Sequence, residues 1–395
     1  MNLRIVSAGL LVTALASARS DAQVTQPAQI SPGVTHSRIV DPTGPWVINV
    51  VKVDLRGGRY ELRHVRARDS IAGREKTSAM ASRQPEGADA VVAAINADFF
   101  NTRTGEVENS QVIGGEWWKG VRGPDSQFDA FGIARSQFAV SAAGKPLLDR
   151  FRFEGTVVYG RTVFPLHTVN FRPRAGTEVV TLYTERYGVT PRDTVRTATE
   201  APLRRVGARG DTTLFVRISP VSKGGGLPIP KGTAVLSALG PRLNTVATFA
   251  EGDTVKVILH AVGQITPTPF APRVLIGGWP RIVAGGRNVA ARAPWDETTI
   301  SSNAEARHPR SVVGFSRDST QLILMTVDGR QAASVGVTLV ELADLVLKQG
   351  GWDALNFDGG GSTALVIKGS VANSPSDPTG EREVGNALLV VRKTP

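Results

Sequence analysis

Apolar residues at Leu339, Leu342, Ala343 and Val346 recur with helical spacing, and Thr338 followed three residues later by Glu341 forms a capping box ahead of them. The spacing predicts a helix over Thr338 to Leu347 that stops at Gly350-Gly351. Two short apolar runs follow, Ala354 to Phe357 and Ala364 to Ile367, which read as buried strands. Between them lies Asp358-Gly359-Gly360-Gly361-Ser362-Thr363, at a strand end where the backbone turns sharply. Three glycines there let backbone N–H groups approach a ligand as an anion-binding nest, while Asp358 and Ser362 supply polar chemistry. A glycine-rich turn capped by its own Asp is the plainer alternative.

Earlier in the chain, Val47 to Leu55 and Arg59 to Val65 flank Gly57-Gly58 and predict a β-hairpin. A short helix over Thr77 to Arg83 precedes the apolar run Ala90 to Ile95, which ends in Asn96-Ala97-Asp98-Phe99-Phe100. That ending repeats Asn356-Phe357-Asp358 in miniature: apolar strand, Asn, one residue, Asp. If the two strands share a sheet, both carboxylates emerge at one edge, where open sheets place ligands. From Phe100 to Trp118 the chain reads as a polar loop closing on Trp117-Trp118, a pair suited either to a sugar platform or to core packing. Residues 150–260 are β-rich, with Val179 to Thr184, Thr213 to Ile218, Thr233 to Leu236 and Val255 to His260 as strands and Lys223 to Pro228 as a surface loop. The core resumes at Val274 to Ile282, Ile300 to Arg307 reads as irregular, and Val312 to Phe315 turns through Arg317-Asp318-Ser319 into Gln321 to Val327. Arg310 and Arg330 sit at the ends of that pair and suit bidentate phosphate contact. The expected fold is α+β: a mixed-sheet core with flanking helices and an inserted β-rich subdomain at 150–260.

Composition narrows the picture. With 395 residues, 41% hydrophobic and 21% charged, the chain can bury a sizeable core. Residues 1–22 read as a secretory signal, with Arg4, an apolar run from Ile5 to Ala16 and small residues for cleavage; residues 23–44 read as a linker, with order beginning near Trp46. The apolar run is too short for a membrane span. No cysteine occurs, so disulfides and thiol chemistry are excluded, and the expected location is a periplasm or the extracellular space. A formal charge of +11, near +10 without Arg4, Arg19 and Asp21, favours anionic partners such as sugar phosphates or acidic glycans. Basic residues are scattered and aromatics scarce, which argues against nucleic acid.

The order of motifs resembles the phosphodiester glycosidase family. The resemblance rests on Asn96 to Phe100, Gly277-Gly278-Trp279-Pro280, His308-Pro309-Arg310-Ser311, Asp328-Gly329-Arg330, the Thr338 to Leu347 helix, Asn356 to Thr363, and Asn373 with Asn386-Ala387-Leu388. It covers roughly 45–395 and implies an α+β domain that removes an N-acetylglucosamine-like sugar attached through its anomeric carbon to a phosphodiester. Many family members carry Asn-Gly-Gly-Phe-Phe where this chain has Asn96-Ala97-Asp98-Phe99-Phe100, so an acid role for Asp98 does not transfer across the family. The lysosomal member has disulfides and a membrane anchor, neither of which is seen here, so that member's physiological substrate is not carried over.

The implied reaction makes chemical sense. Cleaving C1–O releases a phosphate monoester with a second pKa of about 6, a leaving group that needs little protonation. A cationic cradle of Arg310, Arg330 and the Gly359-Gly360-Gly361 backbone would hold it. Asp358 would face the anomeric carbon as nucleophile or base, with Asp98 as second carboxylate. Asn96, Asn356, Asn386, Asp328, Ser362 and Thr363 are the candidate sugar-binding groups. No cofactor is required, though Ca²⁺ or Mg²⁺ is compatible. The five histidines show no ligand spacing, which disfavours a two-metal phosphodiesterase. Ser362 lacks a Gly-x-Ser-x-Gly elbow, which disfavours a serine hydrolase. A non-catalytic binder of anionic polysaccharide is the alternative.

Overall fold

Strands that bury one face alternate apolar and polar side chains, whereas strands covered on both faces are apolar throughout, and both kinds occur here. Thr254–Gly263 buries every second residue, while Val91–Asn96 and Arg310–Phe315 are buried along their whole length. The computed structural model describes residues 23–85, 90–121, 135–172, 178–192, 197–298 and 301–393; the expected signal segment lies outside them.

Two antiparallel sheets face one another. The first is nine-stranded and runs through Val34–Asp41, Trp46–Asp54, Gln321–Val327, Arg310–Phe315, Asp353–Phe357 and Arg281–Ala284 in spatial order. The second is five-stranded and centres on Val91–Asn96, flanked by Leu365–Ile367 and Asn386–Arg392. Their inner faces meet in one core that includes Val51, Leu324, Leu355, Phe357, Ile95, Leu365 and Leu388. The helix Leu339–Lys348 covers the outer face of the first sheet with Leu339, Leu342, Ala343 and Val346, as its spacing predicts, and its Thr338–Glu341 capping box is complete. Thr77–Ser82 covers the second sheet with Met80 and Ala81. The layers therefore run helix, sheet, sheet, helix.

A third sheet of thirteen strands curls into a near-closed barrel around its own apolar core, and its strands Ser136–Val140 and Val274–Gly277 lend Phe138 and Ile276 to the central core. The β-runs expected between 150 and 260 all fall in it, together with Gln111–Ile113 and Glu116–Lys119.

Several expectations are corrected. Strands account for 48% and helices for 13% of the described residues, so β-structure dominates the α+β expectation, and the two core sheets are antiparallel rather than mixed. Gly57-Gly58 makes no hairpin: Trp46–Asp54 pairs with Val34–Asp41 and Gln321–Val327, whereas Tyr60–Arg66 pairs with Asn386–Arg392 in the other sheet. Gly57 and Gly58, at φ of 73° and 64°, form a tight turn that carries the chain between sheets. Order precedes Trp46, because Ala28–Ser31 and Val34–Asp41 are strands within the segment read as a linker. Ser301–Glu305 is a short helix rather than irregular chain. Trp117 and Trp118 are buried, Trp117 edge-to-face with Phe153 and Trp118 beneath the Arg186 guanidinium, so they present no exposed sugar platform.

Because Thr338 accepts from the Glu341 amide at 3.1 Å while Glu341 accepts from the Thr338 amide at 2.9 Å, the cap fixes where the helix begins over the first sheet. Thr338→Ala is expected to lower stability by about 1 kcal/mol, read as a shift in urea midpoint at constant slope; an unchanged midpoint would show that packing alone holds the helix.

Candidate active site

The acidic glycine run is the crossover from Asp353–Phe357 in the first sheet to Leu365–Ile367 in the second. Val91–Asn96 ends beside it, so the two Asn-x-Asp endings belong to facing sheets, not to one sheet as expected, and still meet at a common rim. Asp358 donates its amide to the Ala97 carbonyl at 2.8 Å, and the Asn96 side chain donates to the Asp358 carbonyl at 2.7 Å. The Asn96 side-chain oxygen accepts from the Ser311 hydroxyl at 2.7 Å and from the Ala364 amide at 3.0 Å. Asn96 is thus a buried strap that fixes the rim, with both its amide atoms engaged by protein, rather than a sugar-binding group.

Asp98 is buried, accepts from the Asn109 amide and side chain at 3.2 and 2.7 Å, and has its own amide held by Asn386 Oδ1 at 2.9 Å. Asn386 also meets His64 Nε2 at 3.0 Å, so it positions Asp98 instead of lining a pocket. Burial pushes the Asp98 carboxyl up to about 7, and the nearby Glu108 charge adds to this against the pull of Asn109 and Arg135. A Cβ on Gly277 would lie 2.4 Å from the Asp98 carboxyl, so only glycine lets that strand pass so close. Asp358 is half-buried and raised to about 6, chiefly by burial and further by Glu108, while Ser362 and Arg382 hold it down. Both carboxyls therefore feel the same Glu108, which is itself paired with Arg135 at 2.6 Å.

Of the three glycine amides expected to form a nest, that of Gly360 is turned to a carbonyl and that of Gly359 bonds the Asp358 carboxyl. The amides of Gly360, Ser362 and Thr363 are engaged by Pro309, Gly359 and Gly360 carbonyls at 2.9, 3.1 and 3.3 Å. The glycines make room. A Cβ on Gly359 would strike the Pro309 carbonyl at 2.6 Å, one on Gly360 would lie 3.0 Å from Arg330 Nη2, and one on Gly361 would lie 2.1 Å from Arg382 Nη2 and Asp377 Oδ1. Two guanidiniums consequently rest directly on the crossover. Arg330 is exposed, at φ of 60°, with Nη2 3.3 Å from His308 Nδ1. Arg382 pairs bidentately with Asp377 at 2.7 and 2.9 Å.

Arg310 differs from expectation. It is buried, and four of its five N–H groups donate to Val337, Asn303 and Ala306 oxygens at 2.6–3.3 Å, so it cannot also grip a phosphate with a two-pronged fork. Its charge nonetheless reaches Asp358. Asp328 is buried, accepts from the Ser374 amide at 3.1 Å and is raised to about 6 by burial, which makes it an anchor for the 374–382 segment rather than a sugar ligand. Asn356 donates to the Trp279 carbonyl at 2.6 Å, leaving its Oδ1 buried without a partner, as is Thr363 Oγ1. Such orphaned atoms are expected where a polar ligand completes the hydrogen bonding. Among the described residues, no three His, Asp or Glu side chains converge to hold a metal.

The sequence assigns no site role to Glu108, Asn109, His308, Arg382 or Asp377. The last two come from a Pro- and Ser-rich loop without periodicity, and Glu108 with Asn109 lies inside the polar loop before Trp117, where no local pattern gives either a role.

Residues 206–391 match the family model described as phosphodiester glycosidase. Human N-acetylglucosamine-1-phosphodiester alpha-N-acetylglucosaminidase is 43% identical over 119 residues, 28% of this chain and 22% of that protein. An SPbeta prophage-derived protein of Bacillus subtilis is 33% identical over 118 residues, 28% of this chain and 18% of its own length. The chain thus matches about a fifth of the length of these relatives. The crystal structure of a hypothetical protein from Synechocystis shares the fold, with a TM-score of 0.69 at 20% identity over 92% of this chain and 63% of that one.

The raised carboxyls make stability depend on pH in a definite direction. An aspartate ordinarily titrates near 3.9, so between about pH 4 and 7 the folded chain holds a proton on Asp98 that the unfolded chain has lost, and stability falls as pH rises through that window. Asp98→Asn is expected to gain on wild type across the window by roughly 2–4 kcal/mol. Urea melts of both proteins at pH 4.5 and 8 would measure the gain, and a constant difference would mean that Asp98 titrates like an exposed aspartate.

Proposed function

We propose, from the premise that through residues 206–391 this chain belongs to the phosphodiester glycosidase family, that it hydrolyses the C1–O bond of a sugar 1-phosphodiester to free sugar and a phosphate monoester. The observation that carries this reading is one rim where Asp98 and Asp358 are held by a shared hydrogen-bonded frame, with Arg330 and Arg382 resting on the adjoining glycines. Asp358, half-buried and beside a fixed positive charge from Arg310, faces the oxocarbenium-like carbon as nucleophile or base. Asp98, protonated below about pH 7, is the acid partner. Arg330 takes the departing phosphate, and Arg382 assists from its pair with Asp377. Buried Asn356 Oδ1 and Thr363 Oγ1 receive sugar hydroxyls.

The N-acetylglucosaminyl group is the sugar to try first, because that is the sugar in the name of the human relative. A secreted location fits the leader-like residues 1–22, and none of the helices among the described residues is long and apolar enough to cross a membrane.

The purified chain from Gln23 onward is expected to release reducing sugar from an α-N-acetylglucosaminyl phosphodiester, with ¹⁸O from labelled water in the sugar. Asp358→Asn should lower kcat by about 10³-fold or more with folding retained, and Arg330→Ala should raise KM. Label in the phosphate would mean P–O cleavage. No sugar from glucosyl, galactosyl or N-acetylglucosaminyl phosphodiesters, with or without Ca²⁺ or Mg²⁺, would leave binding of anionic glycan as the reading.

The pH profile tests the division of labour. Activity needs Asp358 ionised and Asp98 protonated, so kcat/KM is expected to be a narrow bell with limbs near 6 and 7. Asp98→Asn should remove the alkaline limb at a rate cost below about 10²-fold, small for a general acid because the leaving phosphate is already a good one. An alkaline limb that survives in that variant would assign it to another group.

A further inference from the structure

His64 is buried on Tyr60–Arg66, and both of its ring nitrogens are engaged. Nδ1 lies 3.2 Å from the Val112 carbonyl, which can only accept, so Nδ1 carries the proton. Nε2 then keeps its lone pair, and the Asn386 side-chain nitrogen donates to it at 3.0 Å. That turns Asn386 Oδ1 to the Asp98 amide, which donates to it at 2.9 Å. The direction of each bond follows from the one before. A protonated ring would set a second donor against Asn386 Nδ2. Burial, aided by the Arg66 charge, lowers the ring to about 3 against the Val112 and Leu275 carbonyls and so keeps it neutral.

The bonds close into a ring around Asp98. Asn109 holds the Asp98 carboxyl directly, and Val112, on the same short segment, holds the Asp98 amide through His64 and Asn386. Residues 109–112 therefore grip Asp98 from both ends. Val112 is itself fixed by pairing with Leu275, two residues before the Gly277 that passes close to the Asp98 carboxyl.

We propose that His64 is a positioning residue for Asp98: its Nδ1–H tautomer sets the Asn386 amide, and with it the backbone from which the carboxyl projects. A histidine that only filled space would be replaceable by an apolar ring of similar size. One whose Nε2 must accept is replaceable by glutamine and not by phenylalanine. The bearing on catalysis rests on the reading of Asp98 as the acid, whereas the relay of hydrogen bonds stands without it.

In wild type, a long-range ¹H–¹⁵N correlation spectrum is expected to show the His64 ring neutral from pH 5 to 8 with its proton on Nδ1. A proton on Nε2 overturns the proposal, and seeing it needs no variant. Hydrogen exchange at the Asp98 amide is expected to quicken at least about tenfold in His64→Phe and to return to the wild-type rate in His64→Gln, while the Leu324 amide in the first sheet keeps its rate in all three proteins. Unchanged exchange at Asp98 in His64→Phe, or exchange equally fast in His64→Gln, overturns the relay. With an α-N-acetylglucosaminyl phosphodiester, kcat is expected to be about tenfold lower in His64→Phe at unchanged KM and restored in His64→Gln. Wild-type kcat in His64→Phe overturns the positioning role. If wild type releases no sugar, the glycosidase reading falls, and the spectrum and the exchange rates still decide the relay.

Discussion

The rim depends on the side chain of Asn96. One planar amide accepts from Ser311 on the first sheet and from Ala364 at the start of the second sheet's strand, and donates to the Asp358 carbonyl on the crossover between them. Its surroundings are dry, so these bonds are strong electrostatically and costly to leave unmade. Two sheets that face each other through apolar side chains could slide without losing much hydrophobic contact. A buried polar group that must satisfy partners on both sheets removes that freedom, and it does so beside the carboxyl whose position matters most. Asn386 repeats the device one strand away, where it fixes the Asp98 amide. Asn373 repeats it again, donating to Thr363 and accepting from Leu365.

The helix, the strands around it and the meeting of the two carboxylates were readable because each rests on local signals: helical spacing with a cap, continuous apolar runs, and Asn-x-Asp at two strand ends. Sheet membership was not. A strand buried on both faces carries no mark of its neighbours, so Trp46–Asp54 and Tyr60–Arg66 looked like a hairpin across Gly57-Gly58 although the turn separates two sheets. The segment before Trp46 reads as a linker because Val34–Asp41, near the end of its sheet, is largely half-buried and polar. The three asparagines expected to bind sugar each hold backbone, Asn96 the Asp358 carbonyl, Asn386 the Asp98 amide and Asn356 the Trp279 carbonyl, and of the three Asn356 alone keeps a buried side-chain oxygen without a partner. Which polar side chains face a ligand depends on long-range partners: Ser311 lies 215 residues from Asn96, and His64 lies 322 from Asn386.

The glycine run shows how one sequence signal can serve two physical ends. Read alone, three consecutive glycines suggest amides free to bind an anion. The Gly360 amide is turned to the Pro309 carbonyl and the Gly359 amide to the Asp358 carboxyl, and the missing side chains also provide volume. Each guanidinium needs a flat bed to lie against, and a Cβ on Gly360 or Gly361 would occupy it. Positive charge reaches the crossover through these side chains.

The three arginines around Asp358 then differ in what they can do for a passing ligand. Arg330 is exposed and keeps its fork free apart from the contact with His308. The His308 ring is held below the ordinary histidine range by burial and by the Arg310 and Arg330 charges, so near neutrality it adds no third positive charge to repel Arg330. Arg382 is oriented by Asp377, which lowers its net charge but fixes its plane, and an anion arriving there must compete with a carboxylate already in place. Arg310 is hydrogen-bonded to neutral oxygens, which leaves its charge uncompensated while preventing its movement. In a poorly solvated interior such a charge acts over several ångströms, so Arg310 can favour the ionised form of Asp358 without touching the ligand. A permanently placed charge needs no reorganisation when negative charge develops nearby, which is the condition for electrostatic preorganisation. The order from buried to exposed, Arg310, Arg382, Arg330, is therefore also an order from fixing the carboxylate to receiving the phosphate.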